Sequence, residues 1–118
     1  MTEEFIERGM IIGLIVSTEY IQKIYNIWNP RLLESPTAKI LAGWCMEYFN
    51  IYKQAPRRDI EGIYTHKLKN NKLSKNKAEW IEDVLGSLNE EYKRTKFNVD
   101  YLIDQTKNYL REDRKRHV

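Results

Sequence analysis

A chain of 118 residues is the size of one ordinary domain, and at that size folding buries about 65% of the unfolded surface, enough for one core without staples. Apolar residues at 42% and charged residues at 31% exclude the disordered class, and a single cysteine, Cys45, excludes an internal disulfide and fits a reducing, cytoplasmic setting. The net charge of +3 is unevenly placed: residues 53–77 carry eight basic side chains against Asp59 and Glu61, while the flanking stretches are slightly acidic.

Strict apolar/polar alternation is absent and helical spacing recurs, so the pattern predicts an all-α, compact bundle of about six helices. The first helix runs from Glu3 to Val16. Its apolar run, Met10 to Val16, is far shorter than the ~20 residues of a membrane span, and acidic residues rather than a basic start precede it. It reads as core, and no membrane partner is expected. Gly9 and Gly13, four apart on one face, predict close approach of another helix. Ser17 or Thr18 caps a second helix with Ile21, Ile24, Tyr25 and Trp28 at core spacing. Asn29-Pro30 stops it and starts a short turn through Leu33, and Ser35-Pro36 opens the third helix, Pro36 to Lys53.

That third helix carries a broad stripe of Ile40, Leu41, Trp44, Cys45, Tyr48, Ile51 and Tyr52, extended by Ala42, Met46 and Phe49. Lys39, Gly43, Glu47 and Asn50 are left for solvent, so the helix is expected to lie between others. Ala55-Pro56 breaks it. A fourth helix presents Ile60, Ile63, Tyr64 and Leu68 and ends at the turn 69–72. Ser74 caps a fifth, with Ile81, Val84, Leu85, Leu88 and Tyr92 on a face and Trp80 at the rim. The last starts at Asn98, with a Phe97–Leu102 staple and an arc of Val99, Leu102, Ile103, Thr106, Tyr109 and Leu110. Residues 1–110 form the helical domain, its last two helices a hairpin that buries its apolar arcs internally and on the core; 111–118 begin a charged linker.

The chain lacks the usual signatures of chemistry. One cysteine with His66 and His117 cannot form a zinc site, and Cys45 lies in an apolar stripe unsuited to a nucleophile. All five glycines fall in predicted helices, so no phosphate loop exists. No carboxylate is expected on an apolar face, where burial would tune it for acid–base work. No catalytic residue, cofactor or metal is therefore expected. Lys67, Lys69, Lys72 and Lys75 are candidates for an electrostatic contact, with DNA bound at most weakly and non-specifically, because no exposed aromatic series accompanies them.

Three segments resemble the helical N-terminal domain of DnaB-type replicative DNA helicases, particularly phage-type members. Met10-Ile-Ile-Gly-Leu-Ile-Val-Ser-Thr-Glu-Tyr-Ile21 resembles that family's first helix and turn. Trp28-Asn-Pro-Arg-Leu-Leu-Glu-Ser-Pro36 resembles its Pro-containing segment before the central helix, although Leu33 stands where Phe is usual and Thr37, Ala38 and Lys39 replace the region of a typical His. Ile40 to Pro56 resembles its central helix, which ends in Ala-Pro. The resemblance implies a non-catalytic collar domain, with ATP hydrolysis in a separate RecA-like domain. It implies pairing with itself through a helical hairpin, within a hexameric parent, and contact with primase or a helicase loader. Trp80 and Tyr101 are the candidate self-association residues. Two alternatives stand beside it: a free-standing helical nucleic-acid-binding or regulatory protein, and the similar helicase-binding domain of DnaG-type primases.

Overall fold

The computed structural model describes the backbone of residues 3–70, 73–93 and 98–116, and side chains over 6–70, 73–91 and 98–111. Six α-helices follow in chain order: α1 (Glu3–Val16), α2 (Thr18–Ile24), α3 (Pro36–Tyr52), α4 (Asp59–Asn70), α5 (Lys75–Lys93) and α6 (Val99–Arg116). Single 3₁₀ turns at Tyr25–Ile27 and Pro30–Leu32 bridge α2 to α3. Among the described residues there is no strand and no helix long and apolar enough to cross a membrane.

Most boundaries are set by the residues expected to set them. Ser17 Oγ accepts from the Tyr20 N–H, Ser35 Oγ from Ala38, Ser74 Oγ from Lys77 and Asn98 Oδ1 from Tyr101. Each satisfies an orphan donor of a first helical turn, a contribution of about 1 kcal/mol. Asn29 Oδ1 does the same for Arg31, with Pro30 at the first position of its turn. At the far end of α3, Lys53 takes a left-handed conformation (φ 60°) and its N–H bonds the Phe49 carbonyl. The chain then turns back at Ala55-Pro56. The Ala55 N–H donates to Thr18 Oγ1, and Arg57 donates its N–H to the Ile15 carbonyl and its guanidinium to that of Val16. Arg57, drawn from the basic stretch, thus closes the C-terminus of α1.

Helix α1 is the centre. Met10, Ile11, Leu14 and Ile15 are fully buried, and α2, α3, α5 and α6 all pack on it. Arg8 on one flank pairs with Asp83 of α5, while Glu7 and Gly13 on the other meet α6. The last two helices are consecutive, but their arms straddle α1. Among the described residues their main packing is on the core: α5 lies on α1 and α3, and α6 lies on α2 and α1. Ile81, Val84 and Leu88 of α5 and Leu102, Ile103, Thr106, Tyr109 and Leu110 of α6 are buried, as their spacing predicts. The side chains of Phe97 and Tyr92 lie outside the described residues, as do those of the expected linker after Arg111; the backbone of α6 continues as helix to Arg116.

Several expectations need correction. Gly9 and Gly13 do not share a role. A Cβ at Gly13 would sit 2.5 Å from Leu102 Cδ2 and 2.9 Å from the Tyr20 ring, whereas one at Gly9 would meet nothing within 4 Å. One glycine, not a pair, admits α6. The α3 stripe is also narrower than its composition suggests. Thr37, Ala38, Leu41, Ala42, Trp44, Cys45 and Phe49 are buried, but Ile51 and Tyr52 in the last turn are 67% and 59% exposed. Leu68, in the last turn of α4, is exposed as well. The predicted solvent wedge of Lys39, Gly43, Glu47 and Asn50 is exposed throughout.

The fourth correction is chemical. A carboxylate does lie on an apolar face: Glu7 is fully buried, one turn before Met10 and Ile11. Its Oε1 accepts from the Ser35 N–H at 2.9 Å, and its Oε2 accepts from the Glu34 N–H at 2.7 Å and from the Tyr109 hydroxyl. It ties α1 to α6 and to the turn that opens α3, where the helix dipole favours a negative charge. Burial is tolerated because the charge is spread over three donors.

Candidate functional site

Glu7 is the first group to weigh as chemistry, since a buried carboxylate is the usual raw material of acid–base catalysis. Its three donors come from this chain and leave it facing packed protein rather than a groove, so its role is structural. Tyr20 is similar. Thr106 Oγ1 donates to the Leu102 carbonyl at 2.8 Å, so the Tyr20 hydroxyl donates to Thr106 Oγ1 at 2.5 Å. Burial holds the Tyr20 hydroxyl well above its ordinary pKa. Burial likewise pushes the Cys45 thiol up, which makes it a poor nucleophile. Among the described residues, no cluster of three or more metal-ligating side chains forms.

A groove of about 330 Å³ lies between α3 and α4. It is lined from both sides of the turn at 53–58 that joins α3 to α4. Trp44 lies at its floor, Ile51, Tyr52 and Ile63 form its apolar walls, and Gly62 leaves one side low. A Cβ added at Gly62 would meet nothing within 4 Å, so that glycine serves as open space rather than close packing. The Tyr48 and Tyr52 rings stand 4.6 Å apart, tilted by 46°, and Trp44 meets Tyr64 at 6.4 Å below.

The groove's polar groups are mostly engaged. The Tyr48 hydroxyl donates to Asp59 Oδ2 at 2.6 Å, and that bond to a carboxylate raises its pKa. Tyr64 donates to Glu82 of α5 at 2.7 Å, and burial with this bond pushes its pKa up to about 12. Lys67 pairs with Glu47 at 3.8 Å across the groove. A second depression of about 470 Å³ lies on the opposite side of the α3 solvent wedge, lined by Tyr25, Trp28 and Met46 with Lys39 at its edge.

The sequence-derived candidates are scattered by the fold. Of the four lysines, Lys67 is half-buried and paired, Lys75 makes only a distant i,i+4 pair with Glu79 at 4.0 Å, Lys69 is exposed, and Lys72 lies outside the described residues. Trp80 is partly buried and packed on the core, whereas Tyr101 is 60% exposed with Gln105 as its neighbour. They stand on helices that straddle α1. Sequence reading missed the groove itself. Its only signal was that the α3 stripe is too long for its neighbours: Ile51 and Tyr52 follow the apolar period up to the Ala55-Pro56 break with nothing in sequence to cover them. The exposed aromatic absent from the basic stretch is Tyr52, one residue before that stretch begins. Compared with protein-family models, with curated proteins and with solved structures, the chain matches none.

Proposed function

We propose that the chain is a non-catalytic assembly and partner-docking domain of a replicative DNA helicase of the DnaB type that its sequence resembles. The observation that carries this reading is the α3–α4 groove: Ile51 and Tyr52 stand exposed along it beside the partly buried Ile63, while the buried titratable groups serve the domain's own packing. A rigid scaffold that spends its polar groups internally and displays an apolar groove is suited to holding another macromolecule rather than to transforming a small one. In this reading the chain pairs with itself within a hexameric ring, and primase or a loader takes another face. Sedimentation of the chain, alone and with a purified DnaG-type primase, tests it. Concentration-dependent association and a primase complex are expected. Tyr101→Ala should weaken self-association without loss of helicity, and it is the cleaner variant because Trp80 also packs on the core. A strict monomer that ignores primase overturns the reading.

One observation favours a second reading, a small nucleic-acid-binding protein: Lys67 and the exposed Tyr52 line the same groove. Sequence-selective, sub-micromolar DNA binding at physiological salt would decide for it.

A further inference from the structure

The buried polar groups of this domain are concentrated under one helix. Glu7 and Thr106 are two of the three polar residues buried among the described ones, and both lie in the seam between α6 and the pair α1–α2. The hydroxyls of Tyr20 and Tyr109 join them there. Gly13, which admits Leu102, adds no side chain of its own to that seat. Helix α5 is seated differently. Its Ile81, Val84 and Leu88 lie on α1 and α3 at 0%, 0% and 2% exposure, whereas Leu102, Ile103 and Leu110 of α6 keep 9%, 7% and 4%.

These seats set the order in which helices can part from the core. An apolar side chain that leaves a sealed seat loses all the stabilisation of its burial, while a hydrogen-bonded polar group exchanges one partner for water and loses little. When α6 lifts, Thr106 and the hydroxyls of Tyr20 and Tyr109 meet water. Glu7 keeps the Ser35 N–H on one oxygen and the Glu34 N–H on the other. The outer face of α6, including Asp100, Tyr101, Asp104, Lys107 and Asn108, is exposed. Its main packing is on α2, α1 and the turn at Pro30–Leu32, so the helix can leave without displacing α3, α4 or α5. We propose that α6 is a separable strap: it lifts as a unit while α1–α5 stay folded, and so uncovers the face of α1 and α2 that carries Glu7, Gly13 and Tyr20.

Hydrogen exchange of the isotope-labelled chain, followed by amide NMR across low urea concentrations, tests this. An isolated helix of this length is marginal in water, so α6 amides lose protection whenever the strap lifts. Amides over 102–110 should exchange through one shared opening, about a hundredfold or more faster than the most protected amides of α1 and α3. Substitutions separate that opening from global unfolding. Val84→Ala should speed exchange in α1 and α3 by about tenfold and leave α6 unchanged, because Val84 sits in a seat that the lifting strap leaves intact. Leu85→Ala, partly buried on the same helix, should give the same pattern in milder form. Thr106→Ala, within the seam, should instead speed α6, α1 and α3 by one common factor, because both openings break its contacts. Exchange of α6 only with global unfolding overturns the proposal, and so does α6 exchange that follows Val84→Ala or Leu85→Ala in step with α3. Amides of α6 that exchange one by one from the helix ends, with no shared opening, overturn it in favour of simple fraying.

Discussion

Two faces of this molecule are built from similar residues and put to opposite uses. Where α1 meets α2 and α6, a glycine, a tyrosine and a glutamate (Gly13, Tyr20 and Glu7) meet Leu102, Thr106 and Tyr109 at one-turn intervals, and every polar atom in the set has a partner in the chain. Where α3 meets α4, a glycine, tyrosines and a glutamate occur again, but around open space: Gly62 faces nothing, Tyr52 is exposed, and Glu47 meets a lysine on the surface. Both faces use a glycine, tyrosines and a glutamate. What differs is whether a third helix closes over them, and that decides whether the same residue types hold the fold or form a docking surface.

The largest effect expected from this contrast is at Glu7. Glu7→Ala strands two backbone N–H groups and the Tyr109 hydroxyl in the core and should cost about 3–5 kcal/mol, read as a lowered urea midpoint. An unchanged midpoint would mean the carboxylate is not the tie described. The two glycines come next, with opposite signs. Gly13→Ala should destabilise by about 1–3 kcal/mol, because its Cβ overlaps the Leu102 and Tyr20 side chains. Gly62→Ala should stabilise by about 0.5–1 kcal/mol through helix propensity alone. Equal effects at both positions would erase the distinction between a closed and an open face.

The Tyr64–Glu82 bond beneath the groove gives a pH dependence with a defined sign. The folded pKa of about 12 lies above the unfolded value of about 10, so the contribution is complete below pH 10. It should fade as pH rises from about 10 toward 12. Tyr64→Phe should flatten that part of the stability–pH curve, and an unaltered curve would show that Tyr64 does not contribute the slope. The smallest stability change is expected at Ile51. Ile51→Ser should stay within about 0.5 kcal/mol of the parent, as an exposed position does, while weakening any partner held in the groove. A loss of several kcal/mol would place Ile51 in a core.

Much of the architecture is legible along the chain, for local reasons. Ser17, Asn29, Ser35, Ser74 and Asn98 cap the helices they precede because a short side-chain oxygen reaches the orphan N–H groups wherever it stands at that position. The buried arcs of α5 and α6 follow from the 3.6-residue period, and so do Cys45 and Trp44 at the heart of α3.

Other features depend on which helices become neighbours, and no local rule encodes that. Glu7 lies on the face of Met10, Ile11 and Leu14, against the expectation that no carboxylate stands on an apolar face, and its burial is tolerable only because Glu34, Ser35 and Tyr109 converge on it from distant positions. Gly9 and Gly13 look alike in sequence, and only the approach of α6 separates them. The α3 stripe continues to Tyr52 without a break, and only the tertiary packing leaves its last turn bare. The sequence by itself determined the elements, their ends and most of their inward faces, because capping and periodicity act within one turn of helix. The tertiary structure alone decided which apolar face is sealed and which stays open, because that choice is made by contacts between residues far apart in the chain.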